Sequence, residues 1–517
     1  MPRIESQTEE SAGSPTAVHH DSLPAGRSSS PHPSRTIDST HPLQPSPSGL
    51  QTDTSRRNPS LKVVSLLPIA IHRMMQPQKK VGKEPTYLSS FRAIATETYL
   101  SALLVFIPIG WALHFHLADN YAAVFITNFL AIVPLAKLLG FATEELALRV
   151  GQTIGGLLNA TFGNAVELIV AIVALTKCEL RVVQSSLIGS ILSNLLLVLG
   201  MCFFAGGTRY SEQGFMASAA QLNSSLLAIS VIAVLLPAAF HFATNTQNDP
   251  DEGNDILRMS HGVAIILLLI YGGYLFFQLW SHAHLYDDGE HAGMAVPSTA
   301  YPKDGRSLRG IAMSAIRRKK VDPEEVPAEP VEPEEEEVEE PKLNVVSAVL
   351  LLVVVTVLVA FTAEYLVDSI DGLTSGGSIS KEFVGLILLP IVGNAAEHVT
   401  AVTVSVKDKL DLSIGVAVGS SIQIALFVIP LLVVIAWGMG KPLTMLNDPF
   451  ESVVLFLSVL VVNYVVSDGK SNWLEGFILL MLYVLIAVSF WYYPGSNPLA
   501  DLGSSIDLGG CKLESVA

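Results

Sequence analysis

The feature that most constrains this chain is a duplicated motif set inside apolar runs long enough to cross a bilayer. Residues 163–194 align with 393–424 at a constant offset of 230 without a gap, and nine of the 32 positions are identical. The identities include Gly163-Asn164-Ala165-x-Glu167 against Gly393-Asn394-Ala395-x-Glu397, and Gly189-Ser190 against Gly419-Ser420. A weaker echo pairs Phe141-Ala-Thr-Glu144 with Phe361-Thr-Ala-Glu364. Only 15% of the 517 residues are charged, against about 25% in ordinary soluble domains. A soluble globular enzyme is therefore the least favoured reading.

Apolar stretches of bilayer-spanning length fall near 98–117, 121–140, 152–176, 184–205, 219–242 and 258–282, and then near 344–366, 381–406, 412–438, 449–467 and 473–492. These eleven spans predict an all-α polytopic membrane protein, with loops that are short except for 283–343. One N-terminal helix (98–117) precedes two five-helix repeats, 121–282 and 344–492. Five is odd, so the two halves enter the membrane with opposite orientation, the inverted-repeat architecture of secondary transporters.

Residues 1–60 hold thirteen Ser and nine Pro without apolar periodicity, a composition that predicts a disordered tail. Segment 61–97 mixes Lys62, Arg73, Lys79, Lys80, Lys83 and Arg92 with apolar residues, as a membrane-surface helix would. The tail 493–517 ends the chain. Loop 283–343 is basic in its first part and acidic in its second, where Asp322 and ten glutamates lie within 322–340. That run leaves about −5 of the net charge of −16 for the rest, and nucleic acid is not a favoured partner. The positive-inside rule puts the N-terminus and loop 283–343 in the cytosol and the C-terminus on the lumenal or external side. Cys178, Cys202 and Cys511 are too few and too scattered for a disulfide framework or a zinc site.

Asn164 and Glu167 are spaced i, i+3, as are Asn394 and Glu397, so each pair shares a helix face. An ionised carboxylate inside a bilayer costs several kcal/mol unless it meets a cation, a proton or water. Two helices that each bring a Glu and an Asn to one depth suggest a hard-cation site, because Ca2+ takes six to eight oxygens from carboxylates, amides, backbone and water. Gly163 and Gly393 relax the helix and admit a close backbone. Ser190, Ser193, Ser420 and Gln423 lie on the following span of each half and line the same cavity in this reading. An all-oxygen ligand set suits Ca2+ or Mn2+ better than Zn2+ or Cu+. Protons compete with the cation for the same carboxylates, and alternating access turns that competition into exchange. His398 fits either packing or a proton relay. Glu144, Glu145 and Glu364 sit near span ends, where solvation is expected. Gly155-Gly156 and Gly206-Gly207 read as close packing or turns. The acidic run, with Glu334, Glu335, Glu336, Glu337, Glu339 and Glu340 as its proline-free part, reads as a solvated stretch or a weak Ca2+ sensor.

These motifs resemble the cation/proton exchanger family of vacuolar Ca2+/H+ exchangers, within the Ca2+:cation antiporter superfamily. The doubled motif carries the likeness, Gly-Asn-Ala-Ala-Glu-His (393–398) above all, over roughly residues 90–492. The resemblance implies a multi-pass vacuolar membrane protein that moves cytosolic Ca2+ into an acidic lumen in exchange for protons, with no cofactor. It implies Glu167 and Glu397 as the alternately exposed cation and proton sites, and an acidic helix between spans six and seven that responds to Ca2+. Here Pro323, Pro327, Pro330, Pro333 and Pro341 interrupt that stretch. The bilayer, Ca2+, H+ and Mn2+ are the expected partners, and a homo-oligomer is compatible with the sequence. Na+-coupled exchange is the nearest rival, although no Asp stands at the partner-span positions to supply extra oxygen. A cation channel would not need carboxylates in both halves, and an intramembrane enzyme would need a nucleophile or His-Glu-x-x-His motif, which is absent.

Overall fold

The computed structural model describes residues 82–97, 99–150, 152–244, 251–282, 297–300, 340–376, 379–496 and 511. The tail 1–60, most of the basic segment 61–97, and Glu334, Glu335, Glu336, Glu337 and Glu339 lie outside the described residues; Glu340 is described and exposed.

After α1 (Tyr87–Thr96), a 3-10 turn (Tyr99–Val105) runs into α2 (Phe106–His116). Next come α3 (Tyr121–Ala147), α4 (Gln152–Phe162) and α5 (Ala165–Thr176). Helix α6 (Leu180–Leu192) continues through a π turn (Ser193–Val198) into α7 (Leu199–Gly207). Then follow β1 (Tyr210–Gly214), α8 (Ala217–Thr244), α9 (Glu252–Phe276) and β2 (Thr299–Ala300). The second half opens with α10 (Val345–Asp368) and α11 (Ile370–Thr374). Helix α12 (Lys381–Phe383) passes through a π turn (Val384–Leu388) into α13 (Leu389–Gly393), and α14 (Ala395–Val406) follows. Helix α15 (Leu410–Gln423), a π turn (Ile424–Val428) and α16 (Ile429–Gly438) form one rod. The chain ends in α17 (Pro449–Val465), β3 (Lys470–Ser471) and α18 (Trp473–Tyr492).

Polar residues at the ends of the apolar runs start the helices. Asn344 accepts from the Ser347 amide (2.8 Å), Asp448 caps α17 ahead of Pro449, and Asn472 with Glu475 forms a capping box. Among the described residues, eight helices are long and apolar enough to cross a membrane, or nine if the pair bent by 59° at residues 393–397 counts as one broken span. The other two expected spans fall on shorter apolar helices, α5 and α17. The all-α expectation needs one correction: β2, β1 and β3 pair antiparallel into a small three-stranded sheet.

The rod α6–α7 carries 83% of its apolar window buried and α15–α16 67%, against 22% for α10. These two rods therefore make the core, and α10 lines the outside. Helix α2 docks where Gly110 admits Asn128, whose Oδ1 would stand 2.8 Å from an added Cβ, and Trp111 donates to Thr362 (3.3 Å).

The 28-residue rod Leu180–Gly207 is roughly 40 Å long at ~1.5 Å per residue, so its flanking segments lie at opposite ends of the bundle. At the Gly207 end, Gln213 donates to the Ser405 carbonyl and to Asp408 (both 3.0 Å), and Ser298 donates to Asp408 (2.8 Å). At the Leu180 end, Lys381 pairs with Glu179 (3.1 Å) and Arg181 with Glu382, while Asp448 accepts from Tyr493 and Ser496. Cys178 and Cys511 form a single disulfide at that end, a bridge the count of three scattered cysteines did not lead one to expect; a sequence separation of 333 hides the pairing from any spacing rule. Glu145 also departs from expectation. It is buried, accepting the Lys342 and Leu343 amides (3.1 and 3.0 Å), whereas Glu364 is half-exposed beside Lys177.

Candidate cation site

Each copy of the duplicated motif breaks a helix at its asparagine. Asn164 (φ −102°, ψ 25°) separates α4 from α5 and Asn394 (φ −89°, ψ 1°) separates α13 from α14; neither side chain caps the helix it precedes. The amides are thus left for tertiary partners. Glu167 and Glu397 occupy the first turns of α5 and α14, where the positive end of the helix dipole favours a carboxylate. Both helices end alike too, in a turn through a left-handed residue, Cys178 (φ 64°) and Asp408 (φ 65°). Glu179 reaches back to the Ala174 carbonyl and Lys409 to the Val404 carbonyl, the 6→1 bond of a Schellman end.

A chain of hydrogen bonds crosses between the halves. Asn194 Nδ2 donates to Ser420 Oγ (3.1 Å), Ser420 Oγ donates to Asn164 Oδ1 (2.9 Å), and Asn164 Nδ2 donates to Gln423 Oε1 (2.8 Å). The Glu397 carboxylate lies beside Ser420 and within electrostatic range of Glu167. Glu167 reaches the second half directly: a Cβ on Gly393 would stand 2.5 Å from Glu167 Oε1, so glycine at 393 leaves the carboxylate its seat. Glu167, Ser190 and Gly393 line a small cavity with Ile132, Val170 and Leu366.

Several polar atoms here have no hydrogen-bond partner: Glu167 Oε2, Glu397 Oε2, both terminal atoms of Asn394, Asn194 Oδ1 and Ser193 Oγ. Buried polar groups are normally satisfied, and five of these six atoms are oxygens, the donor type that Ca2+ takes. Among the described residues no three His, Cys, Asp or Glu gather to hold a metal. Two acids among amides and hydroxyls suit an ion that must leave again rather than a resident one.

The sequence-derived residues Asn164, Ser420 and Gln423 meet directly, Glu167 and Ser190 share the cavity, and Ser193 starts the π turn of its rod. Asn394 is buried without a partner, and the Nε2 of His398 also has none. Asn194 was missed by sequence reading. Its signal was present, four residues after Ser190 in an otherwise apolar run, but its repeat counterpart is Ile424, so a search for duplicated residues passes over it.

The two helices that lead into the motifs pack differently. Helices α12–α13 lie on α6: a Cβ on Gly385 would stand 2.8 Å from Ser185 Cβ, and one on Gly189 would overlap the Leu386 backbone. Helix α4 does not lie on α15 in the same way. At Gly415 and Gly419, the counterparts of Ser185 and Gly189, an added Cβ meets no atom within 4 Å.

Comparison with known proteins matches residues 120–280 and 347–492 to the family described as sodium/calcium exchanger protein. The chain is 55% identical to a vacuolar calcium ion transporter of Cryptococcus neoformans var. grubii, over 83% of this chain and 79% of that protein. It is 42% identical to a Ca2+/H+ antiporter of Aphanothece halophytica, over 77% of this chain and 97% of that protein. Among solved structures, the Ca2+/H+ antiporter protein YfkE superposes with a TM-score of 0.56 at 30% identity, covering 76% of this chain and 99% of that one.

Proposed function

The chain belongs to the sodium/calcium exchanger protein family, and we propose that it is a vacuolar membrane antiporter that exchanges cytosolic Ca2+ for lumenal protons. In this reading it has eleven spans, one N-terminal helix followed by two inverted five-helix repeats, with the N-terminus and loop 283–343 cytosolic and the C-terminus lumenal. The Cys178–Cys511 bridge supports that orientation, since disulfides persist away from the reducing cytosol. Glu167 and Glu397 hold Ca2+ or protons in turn; Asn164, Asn394, Ser190, Ser193, Ser420 and Gln423 supply the remaining oxygens, and Mn2+ is a second cargo of the same chemistry.

The observation that carries this reading is the seat of the Glu167 carboxylate on Gly393, next to the Asn194–Ser420–Asn164–Gln423 chain. One carboxylate from each half faces a site rich in unpaired oxygens. Ca2+ neutralises both, and so do protons, so the two cargoes exclude one another. With an acidic lumen, protons displace Ca2+ there and the protonated carrier returns to release them into the cytosol.

Flux in sealed vesicles tests it. Uptake of Ca2+ rises with lumenal acid, falls when the pH gradient is dissipated at constant membrane voltage, and stops when the cytosolic face is acidified too. Uptake that follows a Na+ gradient and ignores pH overturns proton coupling in favour of Na+ exchange.

A further inference from the structure

The transport site does not use every buried acid in the membrane. Glu451, in the first turn of α17, is 1% exposed. One carboxylate oxygen accepts from the Ser185 hydroxyl and the other, Oε2, has no hydrogen-bond partner. The charged and titratable groups around it are few. Asp448 caps its own helix and is engaged by Tyr493 and Ser496; Arg181, one turn before Ser185 on α6, is paired with Glu382 of α12. Burial, with Asp448 beside it, pushes the Tyr493 phenol up to about 12, so it remains a donor to Asp448. A single hydroxyl does not sustain an ionised carboxylate in such a place.

Ser185 lies on the face of α6 that Gly385 closes. Its counterpart in the other half, Gly415, is exposed where the equivalent helix stands away. Withdrawal of α12–α13 from α6 would expose Ser185 in the same manner and bring water to Glu451.

We propose that Glu451 is a proton checkpoint on the lumenal gate: once the gate has opened, it recloses only after Glu451 has taken a proton from the lumen. This rests on the antiport reading above. Glu451 lies outside the ion site and acts by allowing or opposing closure. At a neutral lumen the ionised Glu451 keeps the open carrier from returning, which suppresses Ca2+–Ca2+ exchange and leakage from a de-energised compartment.

The test is the lumenal pH profile of Ca2+–Ca2+ exchange and of uptake in sealed vesicles holding the full chain. Glu451→Gln, always neutral, is expected to retain uptake at an acidic lumen and to raise exchange at a neutral lumen at least about tenfold, the factor that ~1.4 kcal/mol represents. Ser185→Ala removes the hydroxyl that eases reburial of the ionised form and is expected to move the profile toward a more acidic lumen, opposite to Gln. A Gln profile that superimposes on the wild type, an equal loss at every pH in protein shown to be in the membrane, or an unmoved Ser185→Ala profile each overturns the proposal. Wild-type uptake that ignores lumenal pH overturns the antiport reading instead.

Discussion

The two halves of the bundle share local structure and differ in packing. In the first rod, Val182 is 1% exposed and Ser185 and Gly189 are covered by α12–α13; in the second, Leu412 is 40% exposed and Gly415 and Gly419 face no neighbour. The π turns, the Asn breaks and the left-handed ends correspond, so the difference lies in where one helix leans. Charge differs as well. Lys381 and Glu382 tie the covered end to Glu179 and Arg181, whereas their counterparts at 151 and 152 are Gly and Gln. A duplicated element that packs tightly in one copy and stands off in the other is what the proposed antiport cycle requires of one of its end states. In the proposed orientation the covered end is lumenal and the uncovered end cytosolic.

The comparison breaks most visibly at the carboxylates. Glu167→Gln and Glu397→Gln each retain shape and remove charge, and each is expected to lower Ca2+ uptake by at least about 100-fold, or ~2.8 kcal/mol, in protein that still reaches the membrane. Wild-type flux in either variant removes that residue from the site and with it the equivalence of the halves.

Glycine substitutions separate tight from loose packing. Gly189→Ala forces a Cβ into the Leu386 backbone and should destabilise the purified protein by about 1–3 kcal/mol. Gly419→Ala, with nothing nearby, should change stability by less than about 0.5 kcal/mol yet slow uptake, because that face must close in the other half of the cycle. Equal thermal stability of the two variants would remove the asymmetry.

Accessibility follows the same contrast. A cysteine at Leu412, probed with a membrane-impermeant thiol reagent from the cytosolic side, should react about tenfold faster than one at Val182 probed from the lumenal side, since reactivity tracks exposure. An acidic lumen, which lets the carrier turn over, should narrow that ratio. The smallest effect is expected at the tether. Cys511→Ser should reduce thermal stability while uptake stays within about twofold, and a loss as deep as that of the Glu variants would make the bridge part of the gate.

Much of this was legible in the sequence, for physical reasons specific to membranes. Bilayer thickness imposes the length of apolar runs, and intramembrane acids are too costly to keep without use. Glu167, Glu397 and their asparagines therefore stood out, and the offset of 230 carried the internal repeat. Asn194 and Glu451 did not stand out. Asn194 has Ile424 as its counterpart, and Glu451 sits at the mouth of a short apolar helix, where a carboxylate reads as an N-terminal cap.

By itself, then, the sequence determined which segments are apolar enough to span, which polar groups recur in both halves, and that those groups offer mainly oxygen atoms. Those properties are local: each depends on residues within a few turns of one another. Only the tertiary structure decided that Gly393 seats the carboxylate of Glu167, that Cys178 finds Cys511, that Ser185 rather than a counter-ion serves Glu451, and that one of two similarly built rods is covered. These contacts join residues about 200 or more positions apart, and among apolar helices many registers bury similar area. The choice falls to a few close approaches at glycine and a few ion pairs at one end, whose effect depends on which helices come to lie side by side.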